Sequence, residues 1–441
     1  MYDSLPTHTS LMPEVSDFTS GTLRGQAVSA THETAGWRSD VDGLRGFAVL
    51  LLLAVHMFPE WGRRGGLVGL DMLFVISGFL ITRRLLSAHA AGRMDLPAFF
   101  VRRMQRIVPS LCLILMFCLA FSWLFTAPDA TRQIGKQVAS ATLFASNLIG
   151  WREAALAGHE WQRAPLFHLW ALAFLVQFCI VWPIVLAWLL RSGRSVVAAV
   201  CTLLLSTLLL DVTFSQSHRE AALPASPAWE WMAGALLACM SAKGNAGPVA
   251  WIQARLVRHP RAQHLVPDLM AWAGVALLGA SVMLISQSTD LPGWRSLLPA
   301  LATFALLAAG SEAAFNRSVL SQPVLRFYGA ISFPLYLWHW PLLTFPVVMG
   351  VPLTPELRVA ILISSVVLAA LTYELLDKPI ESAAPSPRVL MLLVSALTFV
   401  GALGWAAAAP LPHSDARHSA VHQGLSETPG RVAPAFAMSQ G

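Results

Sequence analysis

Apolar runs of about twenty residues, the length a helix needs to cross a hydrocarbon core, recur from Leu44 almost to the C-terminus. Lipid offers no water to backbone N–H and C=O groups, so such runs fold as helices that satisfy themselves. About eleven spans are expected, near residues 43–59, 66–86, 107–127, 166–190, 195–214, 227–242, 267–286, 295–311, 323–348, 356–376 and 388–408. Only 12% of the 441 residues are charged, against about 25% in soluble domains. The expected fold class is all-α, a polytopic transmembrane helical bundle in the lipid bilayer.

Lys and Arg accumulate in cytoplasmic loops. With the N-terminus inside, the inner segments hold most of the 30 Lys and Arg, including Arg83, Arg84, Arg93, Arg102, Arg103 and Arg106 before the third span. A cytoplasmic N-terminus is therefore expected, and the net charge of +6 reads as topology, with no nucleic-acid partner. The cysteines, at 112, 118, 179, 201 and 239, sit in apolar stretches without paired spacing and read as small buried hydrophobes; no metal site is expected. Residues 1–36 read as a disordered cytoplasmic tail without a signal peptide, and 409–441 as a disordered periplasmic tail.

The first span, VDGLRGFAVLLLLAVHMF, places Arg45 and His56 eleven positions apart. That is about three turns, so both project from one helix face, about 16 Å apart along the axis. Ionisable side chains inside a span are costly and mark a functional site, although Arg45 snorkelling to the interface and His56 ending the helix in water would also explain them. Asp71, early in the second span, is a candidate partner to orient the His56 imidazole, or a first-turn carboxylate placed for the helix dipole. Arg103 and Arg106, three apart, share a face and suit phosphate, as they would suit a positive-inside anchor. With Arg45 on the same inner side, they would hold a phosphate-bearing donor whose reactive end reaches His56.

The blocks DVDGLRGFAVLLLLAVH, GGLVGLDMLFVISGFLIT, FFVRRMQRIVP, PLFHLWALAFLVQFCIVWP, AWEWMAGALLA and ISFPLYLWHWPLL resemble, in order, those of membrane-bound acyltransferase family 3, the O-acetylases of O-antigen and other cell-surface polysaccharides. The resemblance implies an acyltransferase domain over 37–380 with about ten core helices, plus one C-terminal helix at 388–408. It also implies a bacterial inner membrane location, acetyl-CoA or another acyl-CoA as cytoplasmic donor, and a carbohydrate acceptor. The family's Arg-x10-His motif falls on Arg45 and His56, and its Arg-x-x-Arg motif on Arg103 and Arg106. His56 would then be general base or transient acyl carrier, with Asp71 beside it and the three arginines on the donor phosphates. His168, Trp170 and Glu230 are candidates for the acceptor side.

Two departures matter. Leu175 and Val176 stand where relatives carry paired glutamates, and Pro227 where an arginine is usual; losing both charges strands neither. Larger relatives continue into an external esterase-like domain, so a separate periplasmic acyl-transfer partner is an expectation. The rival reading is a degenerate member that transports or scaffolds a lipid-linked sugar. Tyr336 and His339, in LYLWHWP, read as part of an interfacial aromatic belt.

Overall fold

The computed structural model describes residues 38–58, 68–149, 164–217, 228–242, 265–285 and 294–409. They form an all-α bundle: α1 (Ser39–Met57), α2 (Val68–Ala90), α3 (Leu96–Phe125), α4 (Pro128–Thr142), α5 (Leu169–Arg191), α6 (Val196–Ser217), α7 (Ala228–Ser241), α8 (Leu265–Leu284), α9 (Leu297–Ala309), α10 (Pro323–Ala330), α11 (Ser332–Val348), α12 (Pro355–Thr372) and α13 (Pro387–Ala408). A π-helical turn, Tyr373–Asp377, carries α12 on to Ser382. The N-terminal tail and Pro227 lie outside the described residues, as does the C-terminal tail beyond Ala409.

Among the described residues six helices are long and apolar enough to cross a membrane: α3, α5, α6, α8, α12 with its extension, and α13. The other five expected spans also coincide with helices. Two of these, α1 and α2, carry Asp40, Asp42 and Arg45, and Asp71, Arg83 and Arg84. The rest are short: α7, α9 and the broken pair α10–α11. The chain is thus a multi-pass membrane protein in which the charge-bearing α1 and α2 are largely buried: α1 buries Leu44, Leu52 and Leu53, and α2 buries Met72 and Ile76.

Close backbone approach sets these two helices, as expected where apolar lipid supplies no drive for helix association and small residues permit contact. A Cβ on Gly46 would meet the Gly329 nitrogen at 2.8 Å, and one on Gly69 the Leu52 nitrogen at 2.9 Å. The glycine beside Arg45 therefore seats α1 on α10, and Gly69 seats α2 on α1. The start of α1 is pinned by Arg38, which pairs with Asp40 at 2.6 Å and donates to the Leu307 carbonyl, and by Asn316, which donates to Asp40.

The C-terminal helix α13 packs on α3 and on the polar helix α4. Gln137 of α4 accepts from the Leu166 N–H at 3.0 Å, so α13 supports, through α4, the chain entering α5 just before His168.

Candidate active site

Two cavities share a wall. The larger, about 590 Å³, is lined by Arg38, Arg45, Arg83, Arg84, Arg103 and Arg106, with apolar walls that include Leu70, Phe74, Leu175 and Tyr336. The smaller, about 60 Å³, is lined by His56, His168, Trp170, Trp340, Leu52, Phe167 and again Leu70 and Tyr336.

Arg45, Arg103 and Arg106 of the larger cavity are aimed by their neighbours. Arg45 donates to Ser332 Oγ at 2.8 Å and lies 3.6 Å from Asp42; Ser332 in turn donates to the Gly329 carbonyl. On α3, Gln105 is fully buried and its amide donates to the Ile380 and Ala383 carbonyls at 2.9 and 3.0 Å. Ser110 donates to Asp377 at 2.6 Å. These bonds fix the rotation of α3 against the π-helical end of α12. Arg103 and Arg106 consequently face the cavity, Arg103 over the Phe99 ring at 5.1 Å and Arg106 loosely paired with Glu381 at 3.8 Å. Forked guanidiniums at an apolar-backed cavity can bind a polyanion, phosphate above all, while accommodating an apolar extension.

The smaller cavity is a histidine chamber. His56 Nδ1 lies 3.1 Å from His339 Nε2, and His339 Nδ1 lies 3.2 Å from the Leu335 carbonyl. A carbonyl only accepts, so in the neutral pair His339 Nδ1 carries the hydrogen and its Nε2 is an acceptor. His56 Nδ1 must then donate. The Nε2 of His56 is left as a bare lone pair without a hydrogen-bond partner among the described residues, on a ring that lines the chamber. This is the state a general base or nucleophile requires.

The remaining walls hold this arrangement. Trp340 meets His56 edge to face at 4.9 Å and donates to the Ala164 carbonyl. Tyr336 donates to the His168 carbonyl. Pro341 has no N–H, which leaves the Leu337 carbonyl without its helical donor. Neither nitrogen of His168, 5% exposed, has a partner of hydrogen-bond geometry among the described residues. Orphaned buried nitrogens in a cavity wall are an opening for a ligand.

The structure therefore brings Arg45, Arg103 and Arg106 to one cavity and His56, His168 and Trp170 to the other. It does not bring Asp71 to His56. Leu70 lines the chamber, and Asp71, about 100° further round the helix, points away, towards Ser296, Asp211 and Glu230. Glu230, 2% exposed, lines neither cavity. Leu175 is part of the larger cavity's apolar wall. Sequence reasoning placed His339 in an aromatic belt, but it is fully buried against His56. The i, i+3 spacing of Tyr336 and His339 was the available signal, since it puts both on one helix face.

Comparison with known proteins gives a consistent answer. YrhL of Bacillus subtilis, provisionally named a peptidoglycan O-acetyltransferase, is 27% identical over 359 residues, covering 78% of this chain and 54% of YrhL. The O-acetyltransferase OatA of Staphylococcus aureus strain NCTC 8325 is 26% identical over 348 residues, covering 78% of this chain and 56% of OatA. The chain thus spans about half the length of the curated relatives it matches. No solved structure matches. The acyltransferase-3 family model, described as an acyltransferase domain, matches residues 38–374, which take in every residue that lines the two cavities, and the chain belongs to that family.

Proposed function

We propose that this protein is an inner-membrane O-acetyltransferase that moves an acetyl group from cytoplasmic acetyl-CoA to a hydroxyl of an envelope carbohydrate. The observation that carries the reading is the pair of abutting cavities, one cationic and one built around a histidine whose free nitrogen is fixed. Arg45, Arg103 and Arg106 hold the donor's phosphates, joined by Arg38, Arg83 and Arg84, and the thioester extends along the apolar wall towards His56. His56 Nε2 takes the proton of the acceptor hydroxyl as its oxygen bonds to the acetyl carbonyl carbon; the carbon–sulfur bond breaks, and the thiolate of CoA receives that proton. The positive charge that His56 gains is shared with His339 through their hydrogen bond, so no carboxylate is needed beside the ring. The same lone pair can instead take the acetyl group itself and pass it on; intact-mass analysis after acetyl-CoA treatment without acceptor separates the two routes. His168 and Trp170 face the acceptor.

The cytoplasmic placement of the arginine cavity follows the positive-inside bias, and the relatives named as O-acetyltransferases support the chemistry. Inverted membrane vesicles from cells making the protein, given radiolabelled acetyl-CoA, should place alkali-labile label on envelope carbohydrate. Sealed right-side-out vesicles should not. Labelling that does not depend on the protein, or that occurs only in right-side-out vesicles, would overturn the reading. It would also revive the transport or scaffolding alternative, which the lost fourth-span glutamates favour.

A further inference from the structure

The two cavities meet only where Leu70 and Tyr336 line both. Tyr336 is tied by its hydroxyl to the His168 carbonyl, so that side of the passage is fixed. Leu70 cannot retreat either. It follows Gly69, whose hydrogen side already lies against α1 at the Leu52 nitrogen, and it packs in a buried cluster with Leu52, Phe74 and Trp231. Beyond the passage the chamber holds about 60 Å³, against about 590 Å³ in the arginine cavity. Its far walls are the rigid rings of Trp170, Phe167 and Trp340. That space suits an acetyl group beside the acceptor hydroxyl and leaves little room for a longer acyl chain.

We propose that the Leu70–Tyr336 constriction, with the chamber behind it, is the acyl-length sieve of this protein, and restricts transfer to two-carbon acyl groups. The proposal rests on the acyl-transfer reading and deepens it. A longer acyl chain keeps its CoA phosphates on the arginines, but cannot bring its carbonyl carbon to His56 Nε2 without displacing an aromatic wall. The sieve therefore acts on the transfer rate more than on donor binding. Each added methylene in a filled apolar pocket changes discrimination by about 10- to 200-fold.

The test supplies acetyl-, propanoyl- and butanoyl-CoA to inverted vesicles holding the full chain and measures the acyl esters released by alkali from envelope carbohydrate. Vesicles carrying His56→Ala serve as the blank. Wild type should favour acetyl over butanoyl by about 100-fold or more, and Leu70→Ala should shrink that ratio by about tenfold or more. Leu70→Val, a smaller truncation, should shift the ratio in the same direction by less, and it decides the matter if Leu70→Ala fails to insert. Comparable acetyl and butanoyl transfer by wild type would overturn the sieve while leaving the acyl-transfer reading intact, as would an unchanged ratio in both variants. Wild-type transfer from none of the three thioesters would overturn the acyl-transfer reading, and the sieve with it.

Discussion

Replacing His339 by leucine removes the one acceptor that His56 Nδ1 has among the described residues while filling most of the imidazole's volume. The buried N–H of His56 is then left without a partner, a cost of about 1–3 kcal/mol, unless the ring moves its hydrogen to Nε2 and loses its lone pair at the reacting position. Either escape takes the base out of its working state. At about 1.4 kcal/mol per factor of ten, kcat should fall by roughly 5- to 150-fold. The KM for acetyl-CoA should hold, because Arg45, Arg103 and Arg106 are positioned by Ser332, Asp42, Phe99 and Glu381. Steady-state acetyl transfer in vesicles with matched protein levels reads both constants. His339→Gln supplies an amide oxygen where Nε2 accepts, and should recover much of kcat. A merely structural His339 would show loss without rescue by glutamine. A correctly inserted His339→Leu protein with kcat within about twofold of wild type would refute the coupling of the two histidines.

Other residues give sharper contrasts. Asp71→Asn should retain acetyl transfer within a few-fold, since its carboxylate faces Ser296 and not His56; a loss approaching about 10⁴-fold, the scale of removing a group that orients a catalytic histidine, would restore it as the partner. Arg103→Ala should raise the KM for acetyl-CoA by about 10- to 100-fold through lost charge-assisted hydrogen bonds, with a smaller change in kcat, and unaltered donor affinity would remove Arg103 from the donor site. Gly46→Ala pushes a methyl into the Gly329 nitrogen at 2.8 Å and should cost about 1–3 kcal/mol, read as a lower melting temperature in detergent; an unchanged Tm would mean that α1 and α10 are less tightly seated.

Much of the fold is legible in the sequence because membrane burial writes long apolar runs, and α3, α5, α12 and α13 follow from those runs alone. The break between α10 and α11 and the π-helical turn at Tyr373–Asp377 leave no periodic signature, since they depend on which carbonyls find donors elsewhere. The arginine cavity was half visible. Arg45, Arg103 and Arg106 stand out by spacing, whereas Arg38, Arg83 and Arg84 look like ordinary flanking charges until packing turns them inward. The histidine chamber was the least visible part. His56 and His339 are 283 positions apart, and only the packing of α11 against α1 joins them. Asp71 was the natural guess because a short hairpin brings α2 back beside α1, but one residue of helical rotation, Leu70 inward and Asp71 away, undoes it.

His56, in a chamber fed by the arginine cavity, is proposed to acetylate envelope carbohydrate. Mass analysis of that carbohydrate from cells carrying wild type or His56→Ala at equal membrane abundance tests it most directly. Acetyl esters should be present with wild type and absent with His56→Ala. Equal acetylation in the two strains would contradict the account.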